Sequence, residues 1–190
     1  MKTSDMEDLT RRCHGVSRRH LMAGAVGALA LPIATPGFGK SIEASATEAD
    51  EGFMRIALEE AALGDYPYPF GAVIVRDGAV LARGRNLWNQ QQDPTAHAEM
   101  VAIRRFLADH GLEKLKGTTL YASGESCPMC MGAIIWCGIA RVVYGASIAE
   151  LATRVGQIMI TDADIAAKTP FADIVLTGGV LADESLKLFK

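Results

Sequence analysis

Two short motifs in this 190-residue chain combine side chains that transition metals prefer. His97 and Glu99 stand two residues apart, and Cys127 and Cys130 form a Cys-x-x-Cys pair. One imidazole and two thiolates supply three ligands and leave a fourth position free, as in catalytic rather than closed structural zinc sites. The motifs therefore predict a site for one zinc ion per chain.

Glu99 need not bind the metal and could instead stand beside the open coordination position. Zinc lowers the pKa of a bound water to about 7, so a neighbouring carboxylate can accept its proton and deliver it to a substrate nitrogen. This combination predicts hydrolysis at an electron-poor carbon, with Glu99 as the catalytic residue.

A Cys-x-x-Cys pair has other uses, and from Cys127 and Cys130 alone a redox dithiol or half of a structural zinc site stays open. An oxidising compartment could close such a pair into a disulfide. The remaining His and Cys residues of this half of the chain have simpler interpretations. Cys137 is expected as a buried core thiol, and His110 as a surface residue near a helix C-terminus.

The elements that must position these motifs alternate along the chain. Apolar periodicity and turn residues predict helices over 48–64, 97–109, 129–137 and 183–189, and strands over 71–75, 79–82, 118–122, 141–144 and 173–176. Asp77-Gly78 predicts a hairpin between the first two strands. Both motifs open a helix that follows a strand, so they should meet at the carboxyl edge of the sheet. The order predicts an α/β protein, a three-layer α/β/α sandwich with a mixed central sheet.

The first 46 residues have the composition of an export signal peptide and linker rather than of a folded domain. Two arginine pairs form a basic head, residues 21–34 are weakly apolar, and a small-residue triplet at 44–46 fits a peptidase site. Residues 17–22 resemble a bacterial twin-arginine signal, which predicts transit through that export machinery and a periplasmic or otherwise extracytoplasmic location. The alternative is an amphipathic or disordered extension on a cytoplasmic protein. No apolar run reaches the ~20 residues of a spanning helix, so no stable membrane anchor is expected.

At the metal motifs, His97-Ala98-Glu99 and the Cys-Pro-Met-Cys segment at 127–130, the chain resembles the zinc-dependent cytidine and nucleobase deaminase superfamily. Segments 69–73, 93–99 and 127–134 are similar to the branch that contains bacterial guanine deaminases and tRNA adenosine deaminases. The resemblance runs from about Pro69 to Leu188. It implies a cytidine deaminase-like fold and a zinc-dependent deaminase domain over 47–190.

The resemblance also implies roles for individual residues. It implies His97, Cys127 and Cys130 as zinc ligands, and Glu99 as the proton shuttle. The implied substrate-binding groups are the Asn86 side chain, the Ala98 N–H, and Phe70 and Trp136 as stacking walls. A plain turn residue at Asn86 and core packing at Trp136 are the alternatives.

The two residues before the first cysteine, 125 and 126, differ in how well they match the superfamily. Ser126 stands where the superfamily usually has Pro, and since a serine can cap a helix start, we expect a retained site with slightly altered geometry. Glu125 matches a Glu of the superfamily, but the sequence does not indicate its role.

Charge bears on the choice of substrate. The chain has a formal net charge of −3, and because its basic excess lies in the first 40 residues, the remainder is clearly acidic. Nucleic-acid affinity depends on neutralising phosphates, so no nucleic acid partner is expected. Phe70 favours guanine deaminase-like members, although the segment after Tyr144 lacks the acidic and aromatic residues that guanine deaminases typically carry.

The sequence thus predicts hydrolytic deamination of a small nucleobase or nucleoside, with a guanine-like purine favoured. A tRNA-specific adenosine deaminase and a non-catalytic zinc-binding module are the alternatives. The resemblance also implies a homodimer, since members of the superfamily usually pair.

Overall fold

A mixed six-stranded sheet runs through residues 41–171 and 173–189, the part of the chain that the computed structural model describes. Its strands are β1 (Ser41–Glu43), β2 (Gly71–Arg76), β3 (Ala79–Arg85), β4 (Thr119–Gly124), β5 (Arg141–Ala146) and β6 (Ile174–Thr177). Their order across the sheet is β1-β6-β5-β4-β2-β3. β2 is antiparallel to β3 and β4, and the other neighbours are parallel. The predicted mixed sheet is confirmed.

Eight helices connect these strands within the described part of the chain. They are α1 (Glu48–Ala62), α2 (Trp88–Gln91), α3 (Ala98–His110), α4 (Leu112–Leu115), α5 (Pro128–Trp136), α6 (Ile148–Leu151), α7 (Asp162–Ala166) and α8 (Ala182–Leu186). The four predicted helices correspond to α1, α3, α5 and α8. Apolar periodicity does not predict the other four, each of four or five residues, and α8 is itself shorter than the helix predicted over 183–189. Across residues 41–171 and 173–189, no helix combines the length and apolar content that crossing a bilayer would need.

Alternate residues of β2 enter two separate cores, one on each face of the sheet. Val73 packs with Met54 of α1 on one face. Ile74 packs with Phe106 of α3 and Ile134 of α5 on the other. Period-two alternation along a strand requires this division once both faces are covered. Helices on both faces give the three layers that the sequence predicts.

Glycine is required at two positions that shape the fold near the site. Asp77 and Gly78 both have positive φ, 50° and 76°, which suits the two-residue hairpin turn predicted there. At Gly84 in β3, a Cβ atom would lie 2.2 Å from the Ala98 carbonyl oxygen and 2.5 Å from the Ala102 nitrogen. Only glycine therefore lets the first turns of α3 lie directly against β3.

The edge strand β1 falls inside the segment that the sequence assigns to the export leader. It pairs in parallel with β6, and the Ala44 N–H donates to the Leu176 carbonyl at 2.9 Å. A cut after Ala46 would therefore remove an edge strand from the sheet. The arginine pairs and the apolar run lie outside the described residues, so the signal peptide, its boundary at 46 and the location stay predictions.

Candidate metal and substrate site

Three metal-binding side chains meet where two helices begin. His97 is the N-cap of α3, which follows β3, and Cys127 is the N-cap of α5, which follows β4. Because β3 and β4 both run antiparallel to β2, their ends lie at the same edge of the sheet. His97 Nδ1 lies 3.5 Å from Cys127 Sγ and 3.6 Å from Cys130 Sγ. The structure therefore brings the three predicted ligands together, as the order of elements requires.

The spacing of these three atoms fits a zinc ion. Bonds of about 2.3 Å to sulfur and about 2.0 Å to nitrogen at tetrahedral angles place N and S ligand atoms about 3.5 Å apart. The three ligand atoms all lie within 4.8 Å of one another. A mixed imidazole and thiolate donor set also favours zinc over the hard, oxygen-seeking cations. The cluster supplies three ligands and is compatible with a fourth, exchangeable position.

The ligand side chains differ in how firmly they hold protons. The hydrogen bond from Cys130, together with His97, outweighs burial and lowers the pKa of the Cys127 thiol to about 4. The contact with Cys127 and burial raise the pKa of Cys130 well above its ordinary value. The contact with Cys127 likewise raises the pKa of His97. Since cysteines bind metals as thiolates, zinc binding must displace the proton held by Cys130.

Glu99 lies in the first turn of α3, where only 7% of its surface is exposed. Burial raises the pKa of its carboxyl group, and the nearby Cys127 thiolate raises it further, while His97 opposes the shift. A carboxyl group with a raised pKa exchanges a proton more readily near neutral pH than an ordinary glutamate does. Glu99 therefore has the surroundings of a general acid and base.

His97 and Cys127 border a cavity of about 470 Å³, a size typical of small-molecule sites. Its walls include the rings of Tyr68, Phe70 and Trp88, and its polar lining includes Glu99 and Gln157. Among the described residues that line it, none is a lysine or arginine. The cavity therefore suits a flat, uncharged ligand better than a phosphorylated one.

The predicted substrate-binding residues Phe70 and Asn86 both line this cavity. Asn86 is held in place because its Nδ2 donates to the Tyr68 carbonyl at 3.0 Å and its Oδ1 accepts from the Trp88 N–H at 3.4 Å. The second Nδ2 hydrogen remains available to a ligand. Ala98 is the first residue of α3, so its N–H belongs to the helix-start groups that have no intrahelical acceptor.

Trp136 does not lie at this cavity, which corrects the stacking role expected for it. Its side chain is 76% exposed and contacts Phe171, with ring centroids 4.8 Å apart. It borders a second, largely apolar cavity of about 620 Å³. Trp136 follows Cys127 by nine residues of chain, or about 13 Å along the axis of α5, which places it at the far end of the helix.

The structure assigns roles to the two residues before Cys127 that the sequence leaves open. The Glu125 carboxylate accepts hydrogen bonds from the Ile148 N–H at 2.8 Å and the Asp162 N–H at 3.0 Å, so it anchors the starts of α6 and α7. Ser126 is fully buried, and its Oγ has no hydrogen-bond partner among the described residues. The expected cap by Ser126 is wrong, since Cys127 occupies the N-cap position.

Several lining residues are absent from the sequence-based prediction. Tyr68 and Trp88 each stand two residues from a predicted site residue, Phe70 and Asn86, so proximity in sequence could have found them. Gln157 gives no such signal, because it lies in a segment without a motif and reaches the cavity only through the fold.

Comparison with known proteins supports this interpretation of the site. Residues 47–146 match a family model described as the cytidine and deoxycytidylate deaminase zinc-binding region. A guanine deaminase of Bacillus subtilis (strain 168) is 51% identical over 78 residues, which are 41% of this chain and 50% of that protein. The chain spans less than two thirds of the length of the first curated relatives it matches.

Two solved structures extend the comparison to the fold. One, from studies of A-to-I editing by tRNA:A34 deaminases at the wobble position of transfer RNA, is 34% identical with a TM-score of 0.63 and covers 72% of this chain and 98% of that chain. Another, a mutant protein in complex with 8-azaguanine, is 25% identical with a TM-score of 0.57 and covers 73% of this chain and 81% of that chain. Similar proteins thus include one associated with tRNA and one that binds a nucleobase analogue.

Proposed function

Because this chain belongs to the family defined by the zinc-binding region of cytidine and deoxycytidylate deaminases, we propose that it is a zinc-dependent hydrolytic deaminase of a small nucleobase or nucleoside. A guanine-like purine is the favoured substrate. The observation that carries the proposal is the position of Glu99, a buried carboxyl group that shares one cavity with the ligands His97 and Cys127.

The residues of the chain divide the chemistry between them. Zinc held by His97, Cys127 and Cys130 would supply a water of lowered pKa as the nucleophile. The Glu99 carboxylate accepts the proton of the attacking water and returns it to the ring nitrogen beside the amine-bearing carbon. It then carries the remaining proton of the added hydroxyl to the amine, so that the C–N bond breaks, ammonia leaves and the carbonyl forms. Asn86 holds the base by its side-chain amide.

Three arginines of β3 and α3 have acidic partners, which supports a small substrate rather than RNA. Arg83 and Arg85 lie 3.8 and 3.5 Å from the Glu60 carboxylate, and Arg104 lies 3.2 Å from Asp93. These acidic partners reduce the positive charge available to phosphates, and phosphate neutralisation dominates nucleic-acid affinity. This pairing and the lack of lysine or arginine among the described residues that line the cavity favour a free base or nucleoside.

A panel of amines tests the proposal. Zinc-loaded protein is offered guanine, adenine, cytosine and their nucleosides, and ammonia release is measured beside metal content. We expect native protein to deaminate guanine, and Glu99→Ala to keep its zinc while its turnover falls by about 10²–10⁴-fold or more. The control is Glu113→Ala, since Glu113 is an exposed glutamate paired with Lys116.

Two results would contradict the proposal. Equal activity of native protein and Glu99→Ala would remove Glu99 from the mechanism. Zinc-loaded native protein that releases ammonia from none of the amines would favour the non-catalytic zinc-binding module.

A tRNA-specific adenosine deaminase is the second candidate, and the 34% identity to a chain from studies of tRNA:A34 deaminases favours it. The measurement that separates the two is conversion of adenosine to inosine in tRNA. Protein that converts tRNA adenosine but no free base or nucleoside would overturn the choice of a small substrate.

We also propose that the protein is exported through the twin-arginine machinery and works outside the cytoplasm. The support is the Arg18-Arg19 pair in the basic head and the apolar run after it. Cell fractionation of native protein and of the double variant Arg18→Lys, Arg19→Lys should show periplasmic protein only for the native sequence. Native protein confined to the cytoplasm would overturn this proposal.

We further propose that two copies of the chain pair through the outer end of α5. Trp136, Ile160 and Phe171 are 76%, 44% and 44% exposed and border the same apolar cavity. Exposed apolar patches of this kind mark interaction surfaces. Light scattering should report a dimer for native protein and a monomer for Trp136→Lys, and a monomeric native protein would contradict the pairing.

A further inference from the structure

One wall of the site cavity carries an amide with uncommitted hydrogen-bonding groups. The wall comes from the 152–160 loop, which joins α6 to α7 and lines the cavity with Gly156, Gln157 and Ile158. The Gln157 side chain is half-buried, and it makes no hydrogen bond with the described residues, 41–171 and 173–189. A primary amide offers two N–H donors and a carbonyl oxygen with two lone pairs. Gln157 therefore has its full hydrogen-bonding capacity available to a ligand.

Two other polar side chains that line the cavity, Asn86 and Glu125, already bond to the protein. The Asn86 amide donates to the Tyr68 carbonyl and accepts from the Trp88 N–H. The Glu125 oxygens accept from the backbone at the starts of α6 and α7. These bonds position both side chains and leave Asn86 one Nδ2 hydrogen for the base, whereas the whole amide of Gln157 is available for recognition.

The 152–160 loop is anchored at both ends, which limits the positions that Gln157 can take. Glu125 binds the first residues of α6 and α7 with its two carboxylate oxygens. Each helix start is also closed by a reciprocal cap, Ser147 with Glu150 before the loop and Thr161 with Asp164 after it. Anchored ends reduce the entropy that a recognition group loses when it binds a ligand.

We propose that Gln157 selects the substrate by binding its lactam edge, the adjacent ring N–H and carbonyl oxygen of a guanine-like base. This assignment rests on the proposed function. The amide carbonyl of Gln157 can accept from the ring N–H while its NH₂ donates to the ring carbonyl. Gln157 is then the residue by which this chain distinguishes oxopurines from bases that lack the carbonyl.

The test compares two substrates that carry the same leaving amine. Guanine has the lactam edge, and 2-aminopurine lacks the ring carbonyl. Steady-state kinetics are measured on zinc-loaded native protein and on Gln157→Met, which keeps the length of the side chain without its amide. The control is Met159→Leu, since Met159 belongs to the same loop and is 61% exposed. Melting temperature and zinc content confirm that each variant is folded and loaded.

We expect Gln157→Met to reduce the preference for guanine over 2-aminopurine about tenfold or more, mainly through KM for guanine, because paired hydrogen bonds are lost. The control should leave the preference unchanged. If native protein turns over guanine and Gln157→Met keeps the same preference for guanine over 2-aminopurine, the role of Gln157 is overturned but the proposed function is not. Native protein that releases ammonia from neither base would overturn the guanine-like substrate and, with it, the role of Gln157. An equal loss on both bases would show that Gln157 is merely structural.

Discussion

Asp50 and Asp162 are both buried aspartates in the first turn of a helix, yet their carboxylates have opposite surroundings. Asp50 of α1 pairs with Arg141 at 2.8 and 2.9 Å and accepts from the Tyr121 hydroxyl at 2.9 Å. The two carboxylate oxygens of Asp162 in α7 have no hydrogen-bond partner among the described residues. The aspartates are 1% and 0% exposed, so the extent of burial does not explain the difference.

The two aspartates lie beside opposite edges of the sheet. Asp50 binds Arg141, the first residue of β5, whereas the Asp162 N–H binds Glu125, which directly follows β4 beside the metal ligands. Burial and then the Glu125 charge raise the pKa of Asp162 well above its ordinary value. Ser126, whose hydroxyl also lacks a partner among the described residues, lies at this edge too. The buried Asp50 carboxylate at the amino edge of β5 is thus paired, whereas the Asp162 carboxylate and the Ser126 hydroxyl at the site edge have no hydrogen-bond partner among the described residues.

Breaking the pair at the amino edge should have the largest effect on stability. Arg141→Met leaves the Asp50 carboxylate buried without its cation, and we expect a loss of about 3–5 kcal/mol in the free energy of unfolding at pH 7. Urea denaturation measures it. The control is Arg55→Met, which removes only exposed ion pairs, including one to Glu184, and should cost less than about 1 kcal/mol. Similar losses in both variants would contradict the importance of the Asp50 pair.

The same substitution at the two aspartates should have opposite signs. At pH 7, we expect Asp162→Asn to raise the free energy of unfolding by about 1–3 kcal/mol, because it removes an ionisable group buried without a partner. Asp50→Asn should lower it, because it breaks the pair with Arg141. The folded pKa of Asp162 is raised, so the gain should be absent below about pH 4 and should grow as the pH rises. Destabilisation by both substitutions would refute the contrast between the edges.

We expect acid to remove the stability that the ionised Asp50 carboxylate contributes at the amino edge of β5. Burial opposes ionisation of Asp50, but the hydrogen bonds from Arg141, Thr47 and Tyr121 outweigh it and lower the pKa of Asp50 from 3.8 to about 2. A lowered folded pKa gives stability that is present above pH 4 and lost as the pH falls towards 2, here about 2 kcal/mol. Urea titrations at pH 4.5, 3 and 2 should show this loss in native protein and a smaller one in Arg141→Met. Parallel losses would assign the acid sensitivity to other groups.

The smallest effect is expected at the buried serine of the site edge. Ser126→Ala removes a hydroxyl without a partner among the described residues and should raise the free energy of unfolding by up to about 1 kcal/mol, with zinc affinity unchanged. The matched control is Ser185→Ala, because the buried Ser185 hydroxyl donates to the Ser123 carbonyl and its loss should destabilise by about 1 kcal/mol. Weaker zinc binding in Ser126→Ala would show instead that the hydroxyl supports Cys127.

The metal cluster could be predicted from sequence because its parts are local and their placement follows from topology. His97 and Cys127 each stand at the start of a helix after a strand, and two such starts share one edge of the sheet. Glu99 follows His97 within the same turn, so its neighbourhood was fixed once the ligand was placed. The long helices and central strands could be predicted for a similar reason, since each repeats a pattern over its own length.

The rest of the site depends on contacts between distant segments, which periodicity does not encode. α5 is apolar along most of its length, so the sequence could not indicate that Trp136 would face away from the substrate cavity. The anchoring role of Glu125 requires α6 and α7, two helices too short to predict. Gln157 lies 58 residues after Glu99 in the sequence and reaches the same cavity only because those helices are anchored.

The attachment of α6 and α7 to one glutamate also bears on how the chain tolerates insertions and deletions. Glu125 fixes the distance between Ile148 and Asp162 from outside the 152–160 loop, so the span to be closed does not depend on the loop itself. For a loop with fixed ends, each doubling of length costs only about 0.6 kcal/mol in closure entropy. Residues between the two anchors can therefore change in number as well as in kind with little effect on the sheet or the metal ligands. Substrate range can diverge at this loop while the chemistry of the site stays the same.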